Sequence, residues 1–275
     1  MKNGTLINCF LLLLSLTSTV QAEVQKNISY SSEPHERKHL DIYTPENNEQ
    51  KLPVLIHIHG GGWKRGDKKI QSEHGDFYSS RKIIFVNINY RLTPEVKHPI
   101  HAEDCAEAVA WVFQHIDELA GDKERVFISG HSAGAHLAAL LGTDASYLNK
   151  YNIQPSQLAG VIPIDTASFD LLSPRNERFV EKLVDNAFGT DKAILKSASP
   201  MHHVHADQNY PDFLIFASGK RDSAIQQSKE LSRRLSESGN KAKVMVIDGY
   251  NHRDMNLGMR EVDRPISRAI LDFIN

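Results

Sequence analysis

The chain predicts an α/β domain with a mostly parallel twisted sheet of about eight strands flanked by helices, and three observations carry this. Apolar or alternating runs, several of them rich in Ile and Val, recur at residues 38–43, 54–59, 83–90, 126–129, 158–164, 213–217 and 244–247. Helical patterns at 102–119, 133–141, 224–238 and 265–274 alternate with them. Strands that alternate with helices pair in parallel and are covered on both faces. Finally, no repeat, low-complexity tract or Pro/Gly-rich linker divides the chain after residue 23, and 275 residues that are 40% hydrophobic and 24% charged suffice for one well-buried domain.

Residues 1–22 read differently. Lys2 is their only charge, the stretch 6–16 is largely apolar, and Val20-Gln21-Ala22 supplies small residues before Glu23. This is the pattern of a secretory signal peptide, too short to span a bilayer comfortably, so the expected domain is 23–275 in a secreted or periplasmic protein without a stable membrane anchor. Its loss takes Lys2 and Cys9 away, leaving Cys105 as the sole thiol and excluding an intramolecular disulfide. A formal charge of −2 gives no electrostatic reason to expect nucleic acid as a partner.

Three motifs fall at strand ends, where the loops of such a sheet gather. The strand at 54–59 closes in His59-Gly60-Gly61-Gly62-Trp63, and a glycine run there lets N–H groups converge on one oxygen. Gly61 and Gly62, with the N–H of Ala133, are the expected oxyanion-hole donors. The strand at 126–129 runs into Gly130-His131-Ser132-Ala133-Gly134, a strand-to-helix turn that presents Ser132 as nucleophile.

A serine hydroxyl needs a base, and with fourteen histidines only chain order discriminates. In this machinery the order is Ser, acid, His. Asp222 follows the strand 213–217 by a short turn, and His252 is the only histidine after it. Asp222 is therefore the expected acid, with Asp165, which ends the strand 158–164, as its rival. Asp248 and Asp254 read as turn and solvent-facing residues.

Together with Gly66-Asp67-Lys68, Asn89-Tyr90-Arg91-Leu92-Thr93-Pro94, His98-Pro99, Asp104, Ser199-Pro200, Gly219 to Asp222 and Gly249-Tyr250-Asn251-His252, these motifs give a chain that resembles the α/β-hydrolase fold. Within that fold it is similar to the esterases of the hormone-sensitive lipase and arylformamidase group and to small secreted feruloyl or acetyl esterases. The resemblance covers nearly all of the chain after residue 23. It implies a serine carboxylesterase working through an acyl-enzyme, with no metal or organic cofactor, on small or carbohydrate-linked esters. An arylformamidase-like amidase is the near alternative, and a hydrolase-fold protein that only binds a ligand is the distant one. The quick arrival at the first core strand implies little or no cap domain, with 166–209 the one place for a modest lid-like insertion.

Other residues read as structural. His202, His203 and His205 fall in an expected surface loop rather than a metal site. His59 is expected to brace the glycine loop, His131 to order nearby loops, Arg91 and Asp104 to form an ion pair, and Cys105 to pack in a helix. Trp63 fits either a substrate-stacking surface or a plug beneath the glycine loop.

Overall fold

The computed structural model describes residues 23–46, 50–174 and 178–275, so the expected signal peptide at 1–22 lies outside the described residues. Eight strands form one sheet: β1 (Glu23–Ser29), β2 (His39–Thr44), β3 (Leu52–Ile58), β4 (Ile84–Ile88), β5 (Gly121–His131), β6 (Gly160–Ile164), β7 (Asp212–Ser218) and β8 (Ala242–Ile247). Their order is β1-β2-β4-β3-β5-β6-β7-β8. Only the β1–β2 and β2–β4 pairings are antiparallel. From β4 across to β8 every pairing is parallel.

The helices are α1 (Ser72–Ser79), α2 (Ile100–His115), α3 (Ala133–Thr143), α4 (Ala145–Leu148), α5 (Arg178–Phe188), α6 (Lys192–Ser197), α7 (Asp222–Glu237), α8 (His252–Leu257) and α9 (Pro265–Ile274). Every residue of β3, β4 and β6 is buried, which is why these strands read as near-continuous apolar runs, broken only by His57 and Asn87, rather than alternating ones. The pleat still sorts their side chains. Val54, Ile56, Ile58, Val86 and Ile128 point into a core shared with α2, α3 and the Leu231 and Leu235 of α7. Leu55, Phe85, Phe127, Ile162 and Phe216 point into a second core closed by Tyr78 of α1 and by Ile266 and Ile270 of α9.

β1 escapes the sequence pattern because it is an edge strand whose residues are mostly exposed, so no apolar alternation marks it. β5 begins at Gly121, well before the apolar run that signals it, because 121–125 is only partly covered. The segment between β6 and β7 is not a bare loop; it contains α5 and α6.

The turn from β5 into α3 depends on close packing. A Cβ on Gly134 would sit 2.0 Å from the carbonyl oxygen of Ile58 in β3, a collision with backbone that no rotamer relieves. Gly134→Ala is therefore expected to cost about 3 kcal/mol, read as a fall in soluble yield and in Tm. A parental melting curve would contradict this packing.

Candidate active site

Ser132 occupies the turn with φ 59° and ψ −116°, a strained conformation for a residue with a Cβ. The turn is held by the Ser132 N–H donating to the Ile164 carbonyl of β6 at 2.9 Å. Ala133 opens α3, so its N–H is one of the first-turn donors without an intrahelical acceptor, at the positive end of the helix dipole. Across from it, Gly61 and Gly62 adopt φ 120° and 62°. Ser132, Ala133, Gly61, Gly62 and His252 all line one cavity of about 520 Å³.

The glycine loop is braced from behind. His59, 2% exposed, lies 2.8 Å through Nδ1 from the Gly60 carbonyl and 3.1 Å through Nε2 from Arg37 Nη2. Arg37 can only donate, so Nε2 accepts and Nδ1–H donates to Gly60. Burial lowers His59 to about 4, which keeps this ring neutral, and the two contacts set its tautomer. Trp63 is buried beneath the loop, edge-to-face on His136 and Phe188 with ring centroids 5.3 and 4.9 Å away, so of its two readings the plug is the one observed.

His252 is the first residue of α8, and Asn251 caps that helix by accepting from the N–H groups of Arg253 and Asp254. Asp254 returns the bond to Asn251 N–H, which completes a capping box. The carboxylate that meets His252 belongs to Asp165. His252 Nδ1 lies 2.6 Å from Asp165 Oδ2, while Asp165 Oδ1 accepts the Ser218 N–H at 3.0 Å. Arg221 adds a third hold, donating from Nη1 to Asp165 Oδ2 and to the Asp165 carbonyl at 3.0 and 3.1 Å.

Burial alone would raise the Asp165 carboxyl. The His252 hydrogen bond, the Arg221 charge and the Ser218 amide outweigh it and hold the group down to about 2. His131 completes the cluster, its Nε2–H donating to the His252 carbonyl at 2.8 Å and its ring 4.4 Å from the His252 ring. Burial and the neighbouring His252 push His131 down to about 3. His131, Asp165 and His252 could geometrically surround a metal ion, but the guanidinium of Arg221 already stands against two of the three ligand atoms and opposes a cation.

The structure thus brings Asp165, and not the expected Asp222, against His252. Asp222 is exposed at the start of α7. Only Gly219, Lys220 and Arg221 separate β7 from that helix, so the chain is already turning helically at Asp222 and it is Arg221 whose side chain enters the cavity. An acidic residue in a first helical turn is favoured there by the dipole, which accounts for Asp222 without any part in the site. Asp165 succeeds because β6 lies directly beside β5, one strand from Ser132.

The BD-FAE family model matches residues 40–235, well over half of the sequence. The chain belongs to the BD-FAE family. Among curated relatives, this BD-FAE protein is 30% identical over 243 residues to the esterase LipQ of Mycobacterium tuberculosis, covering 82% of this chain and 55% of that one. It is 28% identical over 249 residues to a probable isoprenylcysteine alpha-carbonyl methylesterase of Arabidopsis thaliana, covering 85% and 52%. It thus spans little more than half the length of these relatives. Among solved structures, esterase B from Lactobacillus rhamnosis matches with a TM-score of 0.76 at 18% identity, over 92% of this chain and 84% of that one. A truncated carbohydrate esterase from gut microbiota matches with 0.76 at 21%, over 94% and 96%. Both likenesses show the α/β-hydrolase fold.

Arg91 and Asp104 form a two-pronged pair at 2.7 and 2.9 Å, and Cys105 is buried in α2 with its thiol pushed up by burial. His202 meets Asp170 while His203 meets the Ser197 carbonyl, so these side chains are spent separately. Two contributors are absent from the sequence reading. Phe179, Val180 and Leu183 of α5 form an apolar wall of the cavity, signalled only by a short amphipathic pattern in a polar stretch. Arg221 carries no sequence signal, since a Lys-Arg pair in a turn reads as solvated surface.

Proposed function

We propose that this protein is a serine carboxylic ester hydrolase in which Ser132 is the nucleophile, His252 the base and Asp165 the acid. The 2.6 Å bond between His252 and Asp165, set in the cavity that Ser132 lines, carries this reading. Asp165 engages Nδ1, so the imidazole is held in the tautomer whose Nε2 can take the Ser132 proton as Oγ attacks an ester carbonyl. Negative charge then develops on the carbonyl oxygen, where the N–H groups of Gly61, Gly62 and Ala133 are the proposed donors. His252 passes the proton to the leaving alcohol, and water releases the acyl group by the same steps reversed. Side chains and water suffice for this chemistry.

Supporting the esterase reading, curated relatives at 28 to 30% identity are named as esterases. For substrate, the wall built by Phe179, Val180 and Leu183 together with Ile70 favours an apolar or aromatic acyl group over acetate alone, on a small or carbohydrate-linked alcohol. Ile70 and Phe179 are 64% and 62% exposed, so this wall reaches the cavity mouth and leaves the alcohol side open. The apolar residues 1–22 support export to the periplasm or medium, and no helix among the described residues is long and apolar enough to cross a membrane.

A fluorophosphonate probe should label the protein at Ser132, and Ser132→Ala should abolish labelling. A parent protein that does not label would refute the reading. Hydrolysis across p-nitrophenyl esters of increasing length, acetylated and feruloylated sugars and N-formyl aryl amines then ranks substrates. Turnover confined to N-formyl compounds would favour an arylformamidase instead.

A further inference from the structure

Arg221 is held unlike an ordinary surface arginine. Its side chain is 21% exposed, and a single nitrogen, Nη1, reaches both the carboxylate and the main-chain carbonyl of Asp165. Asp165 stands at φ 54°, in the left-handed region, which aspartate visits more readily than most residues but still at a cost, and the Arg221 contact to its carbonyl and carboxylate fixes it there. The same Nη1 lies 3.0 Å from His252 Nδ1. An arginine Nη1 carries two hydrogens, and Oδ2 and the carbonyl of Asp165 account for both. The single Nδ1 hydrogen of His252 is directed at Oδ2, 2.6 Å away. The 3.0 Å contact is therefore donor against donor, a fixed cation beside the ring that must become positive during catalysis.

We propose, resting on the hydrolase reading above, that Arg221 is a positioning residue: through its two contacts it locks Asp165 in its left-handed turn with the carboxylate directed at His252 Nδ1. The groups that face the imidazole are Asp165 from the end of β6, Arg221 from the turn before α7, and His131 from the end of β5. On its own helix Asp254 is spent on the cap. His131 is held neutral by burial, so Arg221 is the cation that offsets Asp165.

The test compares the parent with Arg221→Met and Arg221→Lys on one p-nitrophenyl ester at pH 8. Phosphonate labelling of the parent is established first, so that failure of the hydrolase reading is seen separately. In Arg221→Met kcat should fall by about tenfold with KM little changed, because Asp165 loses both contacts that direct it at His252. In Arg221→Lys kcat should recover in part, because an ammonium can donate to the Asp165 carboxylate without reproducing the guanidinium hold. A lower Tm with kcat unmoved would overturn the proposal and leave Arg221 a purely structural residue. A raised KM with kcat unmoved would overturn it in favour of direct substrate binding.

Discussion

Asp165→Asn should lower kcat by about 10⁴-fold, whereas Asp222→Asn should leave it within about twofold. The asymmetry follows from what each carboxylate touches. Asp165 is fully buried, receives the Nδ1 hydrogen of His252 and is fixed by Ser218 and Arg221 on its remaining edges. An asparagine amide in its place presents N–H where an acceptor is needed, so the imidazole is driven to the opposite tautomer and loses both its orientation and the stabilisation of its charged form. Asp222 is exposed on α7, and its amide is isosteric. Steady-state kinetics at pH 8 on one ester substrate checks both variants. A large loss in Asp222→Asn with full activity in Asp165→Asn would reverse the assignment.

A steep loss of stability on mild acidification is the second large effect. His57, His59, His74, His101 and His136 are each no more than 2% exposed. Burial pushes His57 well below its ordinary value, His59, His74 and His101 to about 4, and His136 to about 3. The folded state thus binds these protons less readily than the unfolded chain does. Stability is fully present above the unfolded histidine value, about 6.5, and is lost as pH falls from there toward the folded values. At pH 5 the difference is about 2 kcal/mol for each of His59, His74, His101 and His136, on the order of 8 for the four together, and His57 acts in the same direction. That is comparable with the whole stability of an ordinary domain. Asp165 works in a lower window, its depressed value withdrawing support only as pH falls through the carboxylate range toward about 2. Urea unfolding at pH 7.5 and pH 5 reads the effect directly. Free energies that agree within about 1 kcal/mol would show that these rings are not buried and neutral.

Much of this architecture is legible in sequence because burial on both faces leaves an unmistakable mark. Val54 to Ile58 and Gly160 to Ile164 can only be interior strands, and Gly130 to Gly134 can only serve where two backbones nearly touch. The choice of acid is harder, since it depends on where helix α7 begins, a matter of one turn that propensity does not resolve. Asp165 did carry a signal, a charged residue directly at the end of a wholly apolar strand, but the Gly-x-x-Asp turn after 213–217 favoured Asp222 as the side chain expected near the loop carrying His252. The role of Arg221 could not have been read, because it exists only once β6, β7 and α8 are brought side by side.

The spacing of the site along the chain also bears on how the molecule comes to life in time. Asp165 and His252 are 87 positions apart, and Ser132 stands in the turn after β5, so no local segment of the polypeptide can hold the whole reactive set. Helices can form early during refolding and report nothing about competence. On the proposed hydrolase reading, turnover begins only when distant crossovers have closed, after the entropy of those long loops has been overcome. Ester cleavage is then a clock for the final stage of refolding, and its lag behind the helical signal measures how long the sheet takes to bring its far edge home.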